Sequence, residues 1–86
     1  MENCDLESIK KQVNRTQGQV NGIGQMIDSG RNCQEVIQQI AAARASLGKL
    51  ATMLLEQEAK GCFGGDDDKD KLKNLNEVVT NLFKFN

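Results

Sequence analysis

Proline, tryptophan, tyrosine and histidine are all missing from these 86 residues, and only three phenylalanines represent the aromatics. Without proline, nothing forces a break inside a long helical segment. Without histidine, imidazole is excluded as general base and as metal ligand, so any chemistry falls to thiols and carboxylates. No stretch approaches the apolar length that spans a bilayer. The start, MENCDLES, lacks the basic and apolar regions of a signal peptide, so a cytoplasmic protein with no membrane partner is expected. The three cysteines are odd in number, which in a reducing compartment argues for reactive, metal-binding or inert thiols and against a structural disulfide framework. The chain reads as one small domain, 1–86, of a size at which a lone core is marginal and self-association is a common remedy.

What is present is a helix-forming alphabet of Leu, Ile, Ala, Gln, Lys and Glu, organised around the stretch from Asn32 to Cys62. Asn32 suits an N-cap, Glu35 stands where a capping box puts its carboxylate, and Gly61 is a C-terminal cap, so the stretch reads as one long helix. Cys33 and Cys62 then lie about 43 Å apart along one chain. A disulfide needs Cα atoms within about 7 Å. If these two thiols act together, they do so between chains, with the same helix of a second copy lying antiparallel. Cys33, at the positive end of the helix dipole and near Arg31, reads as the nucleophile. Cys62, at the negative end near Glu56 and Glu58, reads as its resolving partner. The bland alternative makes each a small buried hydrophobe.

Upstream, Leu6, Ile9, Val13, Thr16, Val20, Ile23 and Ile27 form a heptad-like seam behind an Asp5 N-cap, closed by Ser29 and Gly30. Gly18, Gly22 and Gly24 inside it suggest close approach of another backbone, or flexibility. The two long helices should form an antiparallel hairpin. In the second, Val36, Ile40, Ala43, Leu47, Leu50 and Leu54 make one seam, and Ile37, Ala41, Ala51 and Leu55 a second stripe. That stripe favours dimerisation, the alternative being a monomeric three-helix bundle. Phe63, Gly64 and Gly65 break the helix, and the acidic knot Asp66 to Asp70 precedes a short third helix through Leu72, Leu75, Val79, Leu82 and Phe83, ending at Phe85 and Asn86. The fold class is therefore all-α.

Folding the hairpin brings Cys4 towards Glu58 and Cys62, and in an antiparallel dimer Cys33 of the other chain arrives there too. Up to three sulfurs and a carboxylate suit Cu(I) or Zn(II). The opposing reading leaves Cys4 in a frayed terminus. The formal charge is −1, but Lys10, Lys11, Arg15, Arg31, Arg44, Lys49 and Lys60 precede the aspartates, so a basic face can coexist with an acidic rim. Most such charges are solvated helix faces.

The segment Arg15-Thr-Gln-Gly-Gln-Val-Asn-Gly-Ile23, Cys33 opening the next helix, the stretch Gln39-Ile-Ala-Ala-Ala-Arg-Ala-Ser-Leu47, and Cys62 together resemble the CsoR/RcnR family of bacterial transcriptional repressors. The resemblance spans nearly the whole chain. It implies an all-helical homotetramer built from antiparallel dimers that holds operator DNA until an inducer is sensed. Family members that sense Cu(I) carry a cysteine, a histidine, and a second cysteine four residues later. Here Cys33 and Cys62 match the cysteines, and Glu58, a harder ligand than Cu(I) prefers, stands at the histidine position. The nickel and cobalt sensors use several histidines, and the formaldehyde sensors lack the last cysteine. Two cysteines without the histidine look like the persulfide-sensing branch, the CsoR-like sulfurtransferase repressors (CstR). That branch needs no cofactor.

The implied mechanism has Cys33 attack the sulfane sulfur of a small-molecule persulfide and Cys62 of the partner chain resolve the product, cross-linking protomers and releasing DNA. The controlled genes would handle sulfide or persulfide. For DNA contact the reading selects Lys10, Arg15, Gln19, Arg44 and Lys49, with Arg15 and Gln19 favoured by the family pattern. No helix-turn-helix or zinc-finger signature is present, so phosphate contacts and DNA shape should dominate. The alternatives are a repressor responding to Cu(I) or another metal, or a thiol-rich metal buffer, through Cys33, Cys62 and accessory Cys4, and a purely structural oligomerisation module. No acid/base constellation suggests an enzyme.

Overall fold

The computed structural model describes residues 4–63 and 69–84. Three helices follow in order: α1, Leu6–Asp28; α2, Cys33–Ala59; and α3, Lys69–Leu82. The central aspartates Asp66, Asp67 and Asp68, the glycines Gly64 and Gly65, and the terminal Phe85 and Asn86 lie outside the described residues. The third helix begins at Lys69, before its first apolar residue, Leu72.

Each boundary of the hairpin has a local cause. The Asp5 side chain accepts the Ser8 N–H at 3.1 Å and caps α1. At the far end Gly30 takes φ +76°, and the Gly30 and Arg31 N–H groups donate to the carbonyls of Ile27 and Met26. The next helix ends the same way. Gly61 has φ +79°, its N–H donates to the Glu58 carbonyl, and the Cys62 N–H reaches back to the Gln57 carbonyl at 3.0 Å. Both are Schellman closures, in which a left-handed glycine lets the chain turn back onto the last carbonyls. Asn32 caps α2 by accepting the Glu35 N–H at 2.9 Å. The expected capping box does not close, because the Glu35 carboxylate is taken by Arg31 at 2.6 Å.

The antiparallel register is set by polar cross-links. The Asp5 N–H pairs with Gln57, Gln12 pairs with Ser46, and Gln39 donates to the Gln19 carbonyl. The buried residues of the hairpin are Ile9, Gln12, Thr16, Ala43, Ser46 and Gln57. This corrects the seam expected from apolar spacing, in which Val20, Ile27, Ile40, Leu47 and Leu54 were to be covered. All five are exposed. Polar residues hold the centre because their hydrogen bonds are satisfied there. The Thr16 hydroxyl donates to the Gln12 carbonyl, leaving its oxygen to accept from the Ser46 hydroxyl at 2.6 Å, while the Gln12 amide donates to the Ser46 hydroxyl oxygen at 2.8 Å and carbonyl at 3.0 Å.

The short third helix packs on α2 and not on α1, so the chain is a thin layer with extents of 49 × 30 × 12 Å. Phe83 lies against Gly48, where a Cβ would sit 3.3 Å from the ring. Gly22 admits a side chain, the Gln39 amide, and not another backbone, while Gly18 and Gly24 face open space. The helix α3 covers the Ala51 and Leu55 end of the second α2 stripe, leaving Ile37 and Ala41 exposed. The fold therefore leaves one apolar flank uncovered: Val20 is 50% exposed, Ile37 56%, Ile40 45% and Leu47 44%.

Candidate functional site

The three cysteines occupy the two ends of the hairpin. Cys33 opens α2 and is a free, exposed thiol. It shares a helical stripe with Ile37 and Ile40, four and seven residues on, so it stands at the head of the uncovered flank. Arg31, expected to support this thiol, instead forms its ion pair with Glu35. That pairing holds the Glu35 carboxyl below its ordinary value of 4.5.

At the opposite end Cys62 follows the Schellman glycine of α2 and is bonded to Cys4, 58 residues away, with Cα atoms 5.8 Å apart. The approach of Cys4 to Cys62 follows from the hairpin as expected. The frayed-terminus reading of Cys4 does not hold, and the argument against a structural disulfide missed this intra-chain bond. Cys4 is half-buried, and the neighbouring Asp5 N–H is anchored on the Gln57 side-chain oxygen at 2.9 Å. Cys62 Sγ lies 3.4 Å from that same oxygen. Gln57 is thus the residue on which the site is built, and the apolar pattern gave no sign of it. Its signal was indirect: a polar side chain in the buried stripe of α2. Glu58 faces elsewhere, bordering an apolar groove with Leu54, Phe63, Leu75 and Val79.

These donors do not make a metal site within one chain. Among the described residues no three His, Cys, Asp or Glu side chains come together as a possible ligand set. Both sulfurs at the α2 C-terminus are engaged with each other, and the third lies about 43 Å along the helix.

Of the residues expected to meet DNA, Lys10, Arg15 and Lys49 are exposed and Gln19 and Arg44 half-buried. The Gln19 side-chain oxygen is buried without a hydrogen-bond partner. Arg44 donates to the carbonyls of Leu82 at 3.3 Å and Lys84 at 2.8 Å, where a cation suits the C-terminal end of α3. Helical spacing separates the set. Lys10 falls on the flank of Val13, Gln17 and Val20, which line a groove with Leu47 and Leu50. Arg15 and Gln19 fall on the other flank, as does Lys49, in line with Met53 and Glu56.

No helix among the described residues is long and apolar enough to cross a membrane. A family model for metal-sensitive transcriptional repressors matches residues 5–84. The copper-sensing transcriptional repressor CsoR of Bacillus subtilis (strain 168) is 36% identical over 58 residues, which cover 67% of this chain and 57% of that protein. The copper-sensing transcriptional repressor RicR of Mycobacterium tuberculosis is 29% identical over 84 residues, covering 91% and 88%. An uncharacterized protein in the bioA 5′ region of Serratia marcescens is 35% identical over 83 residues, covering 94% and 91%. No solved structure matches. With the match running over almost the full length of a three-helix chain, the protein belongs to the metal-sensitive transcriptional repressors of the CsoR/RcnR type, a family of repressors and not of enzymes.

Proposed function

We propose that the chain is an operator-binding repressor of the persulfide-sensing branch, working as a tetramer of antiparallel dimers in the cytoplasm, whose inducer acts on Cys33 of one protomer and Cys62 of another. The observation that carries this reading is the position of Cys33. It is an exposed thiol at the head of the uncovered stripe Ile37, Ile40, Leu47 and Leu54. A flank of this size seeks cover, and a second copy laid antiparallel along it brings Cys33 to the Cys62 end. Persulfide suits the site because its candidate sensing groups are thiols and no imidazole exists in the chain. A Cys33 thiolate attacks the sulfane sulfur and expels the carrier thiolate. Cys62 of the partner chain then attacks the Cys33 Sγ and expels the outer sulfur as hydrosulfide, linking the helix ends and biasing the assembly away from its DNA-binding shape.

Arg15, Gln19 and Lys49 are the residues on which DNA contact rests, since they share the flank away from the apolar stripe. Lys10 and Arg44 belong to that contact only if the assembly brings the second flank to the duplex.

A second reading is favoured by the names of the two copper-sensing relatives. In it Cu(I) is held by Cys33 of one chain with Cys62 and reduced Cys4 of another. The two are separated by measuring release from a DNA fragment that the protein itself selects from random sequence. Persulfide should release the DNA with added sulfur mass or a Cys33 to Cys62 link, and Cys33→Ser should abolish this. Tight release by stoichiometric Cu(I) together with no response to persulfide overturns the persulfide reading.

A further inference from the structure

We propose that Cys4 is an intra-chain resolving thiol for Cys62, so that the protein has a second oxidised state, closed within one protomer, that competes with the inter-chain link and undoes it. The inference rests on the thiol-responsive reading for its consequence, but the bridge itself does not depend on the inducer.

Three features accompany the bridge and hold the two cysteines at the same end of the hairpin. The Schellman turn at Gly61 directs Cys62 back over the last turn of α2, with its N–H held by the Gln57 carbonyl. The Asp5 N–H is anchored on the Gln57 side chain, which fixes the residue next to Cys4. The Cα atoms then stand 5.8 Å apart, within bonding range. Cys33 of the same chain is out of reach at the other end of a 27-residue helix. Within a protomer, therefore, Cys62 has one thiol neighbour.

The chemistry balances with a persulfide as the only oxidant. The Cys62 thiolate attacks the sulfane sulfur of a small persulfide, the carrier leaves as its thiolate, and Cys62 becomes a persulfide. The Cys4 thiolate attacks the sulfur bonded to the Cys62 carbon, and hydrosulfide leaves. Two thiols and one persulfide give one disulfide, one carrier thiol and one sulfide. Starting from an inter-chain Cys33 to Cys62 disulfide, Cys4 attacks the Cys62 sulfur and the Cys33 thiolate leaves, which needs no oxidant. Closure within a docked hairpin is unimolecular, so its effective concentration favours the intra-chain product. The cross-link that releases DNA would then be transient and would decay to separate chains with a free Cys33.

The full-length protein, reduced and freed of reductant without oxygen, is treated with glutathione persulfide or, separately, with the thiol oxidant diamide. It is then quenched by alkylation and examined by intact mass and peptide mapping. Wild type should end as single chains carrying a Cys4 to Cys62 bridge and one alkylated thiol, Cys33. In Cys4→Ser the covalent dimer joined through Cys33 and Cys62 should rise by on the order of tenfold or more. A bridge formed by diamide but not by persulfide supports the resolving pair and removes persulfide as its oxidant. Overturning the proposal would take no Cys4 to Cys62 bridge under either reagent, or equal and persistent dimer in wild type and Cys4→Ser.

Discussion

The side-chain oxygen of Gln57 accepts the Asp5 N–H at 2.9 Å, so a buried residue of the last turn of α2 holds the residue next to Cys4. Replacing Gln57 by leucine keeps the volume but leaves the Asp5 donor unpaired. The expected cost is about 1 kcal/mol, rising towards about 3 if water cannot reach the amide. Because Cys4 is then held less firmly, bridge closure from the reduced chain should slow. Urea unfolding and the rate of thiol loss report the two effects separately.

The bridge itself closes a loop across 58 residues of sequence. On the loop-entropy argument, reduction should lower stability by about 4 kcal/mol. Urea midpoints of the bridged and reduced chains at equal protein concentration give the comparison, and Cys4→Ser should unfold like the reduced chain. Equal midpoints would mean that the reduced chain keeps its ends together without the bond.

The polar centre of the hairpin makes a different prediction. Ser46→Ala removes the hydroxyl that Gln12 and Thr16 share, and Gln12→Leu removes the amide that reaches Ser46. Each single change strands a buried partner and should cost about 1–3 kcal/mol. The double variant should cost less than the sum, by about 0.5–3 kcal/mol, because fewer polar groups are stranded. Additive costs in a double-mutant cycle would show that the three side chains act separately.

The difference between the legible and illegible parts of this fold lies in the same residues. Asp5, Gly30, Asn32 and Gly61 announce the helix ends because caps and left-handed glycines are local requirements, met by a few residue types. The approach of Cys4 to Cys62 followed from hairpin arithmetic alone. The seam did not, because periodicity counts apolar residues, whereas Gln12, Ser46 and Gln57 are buried through hydrogen bonds that only the opposite helix supplies. Ile40, Leu47 and Leu54 looked like core for the complementary reason: apolar spacing does not distinguish residues that the same chain covers from residues it leaves exposed. The bond at Cys4 escaped notice because a cytosolic reading of three cysteines argues against it, and sequence carries no sign of how firmly a terminus is docked.

Acid should weaken the Asp5 cap of α1 and the Arg31–Glu35 ion pair at the start of α2. Hydrogen bonds from Ser8, with Lys60 and Lys11 adding, hold the Asp5 carboxyl below its ordinary 3.8, and Arg31 holds Glu35 below 4.5. A depressed folded-state value means stability that is fully present above the unfolded value and lost as pH falls through the folded one. Thermal midpoints should therefore lose this contribution below about pH 4. The fall should be shallower in Asp5→Asn and Glu35→Gln, and 0.5 M salt should reduce the Glu35 part, since that pair is exposed. An acid limb unchanged in both variants would assign it to other carboxylates.

The separation of basic residues onto two flanks gives the sharpest test of the DNA reading. If Arg15 and Lys49 meet phosphates together, alanine at either should weaken binding across all sequences. Each should reduce the slope of log affinity against log salt by about 0.9 for every phosphate no longer neutralised, multiplied by the protomers that engage. Gln19→Ala should act differently. It carries no charge, so the salt slope should stay while affinity changes, and removing its buried, unpaired oxygen should not destabilise the fold. Lys10 lies on the flank with the exposed apolar residues, so Lys10→Ala should leave the slope nearly unchanged. Arg44→Ala should first loosen α3, whose last carbonyls it holds, and this is read by the melting of the DNA-free protein. Salt titrations of all five variants against one operator fragment decide the matter. A slope lowered by Lys10→Ala and untouched by Arg15→Ala and Lys49→Ala would turn the hairpin over and put DNA on the flank assigned here to the second copy.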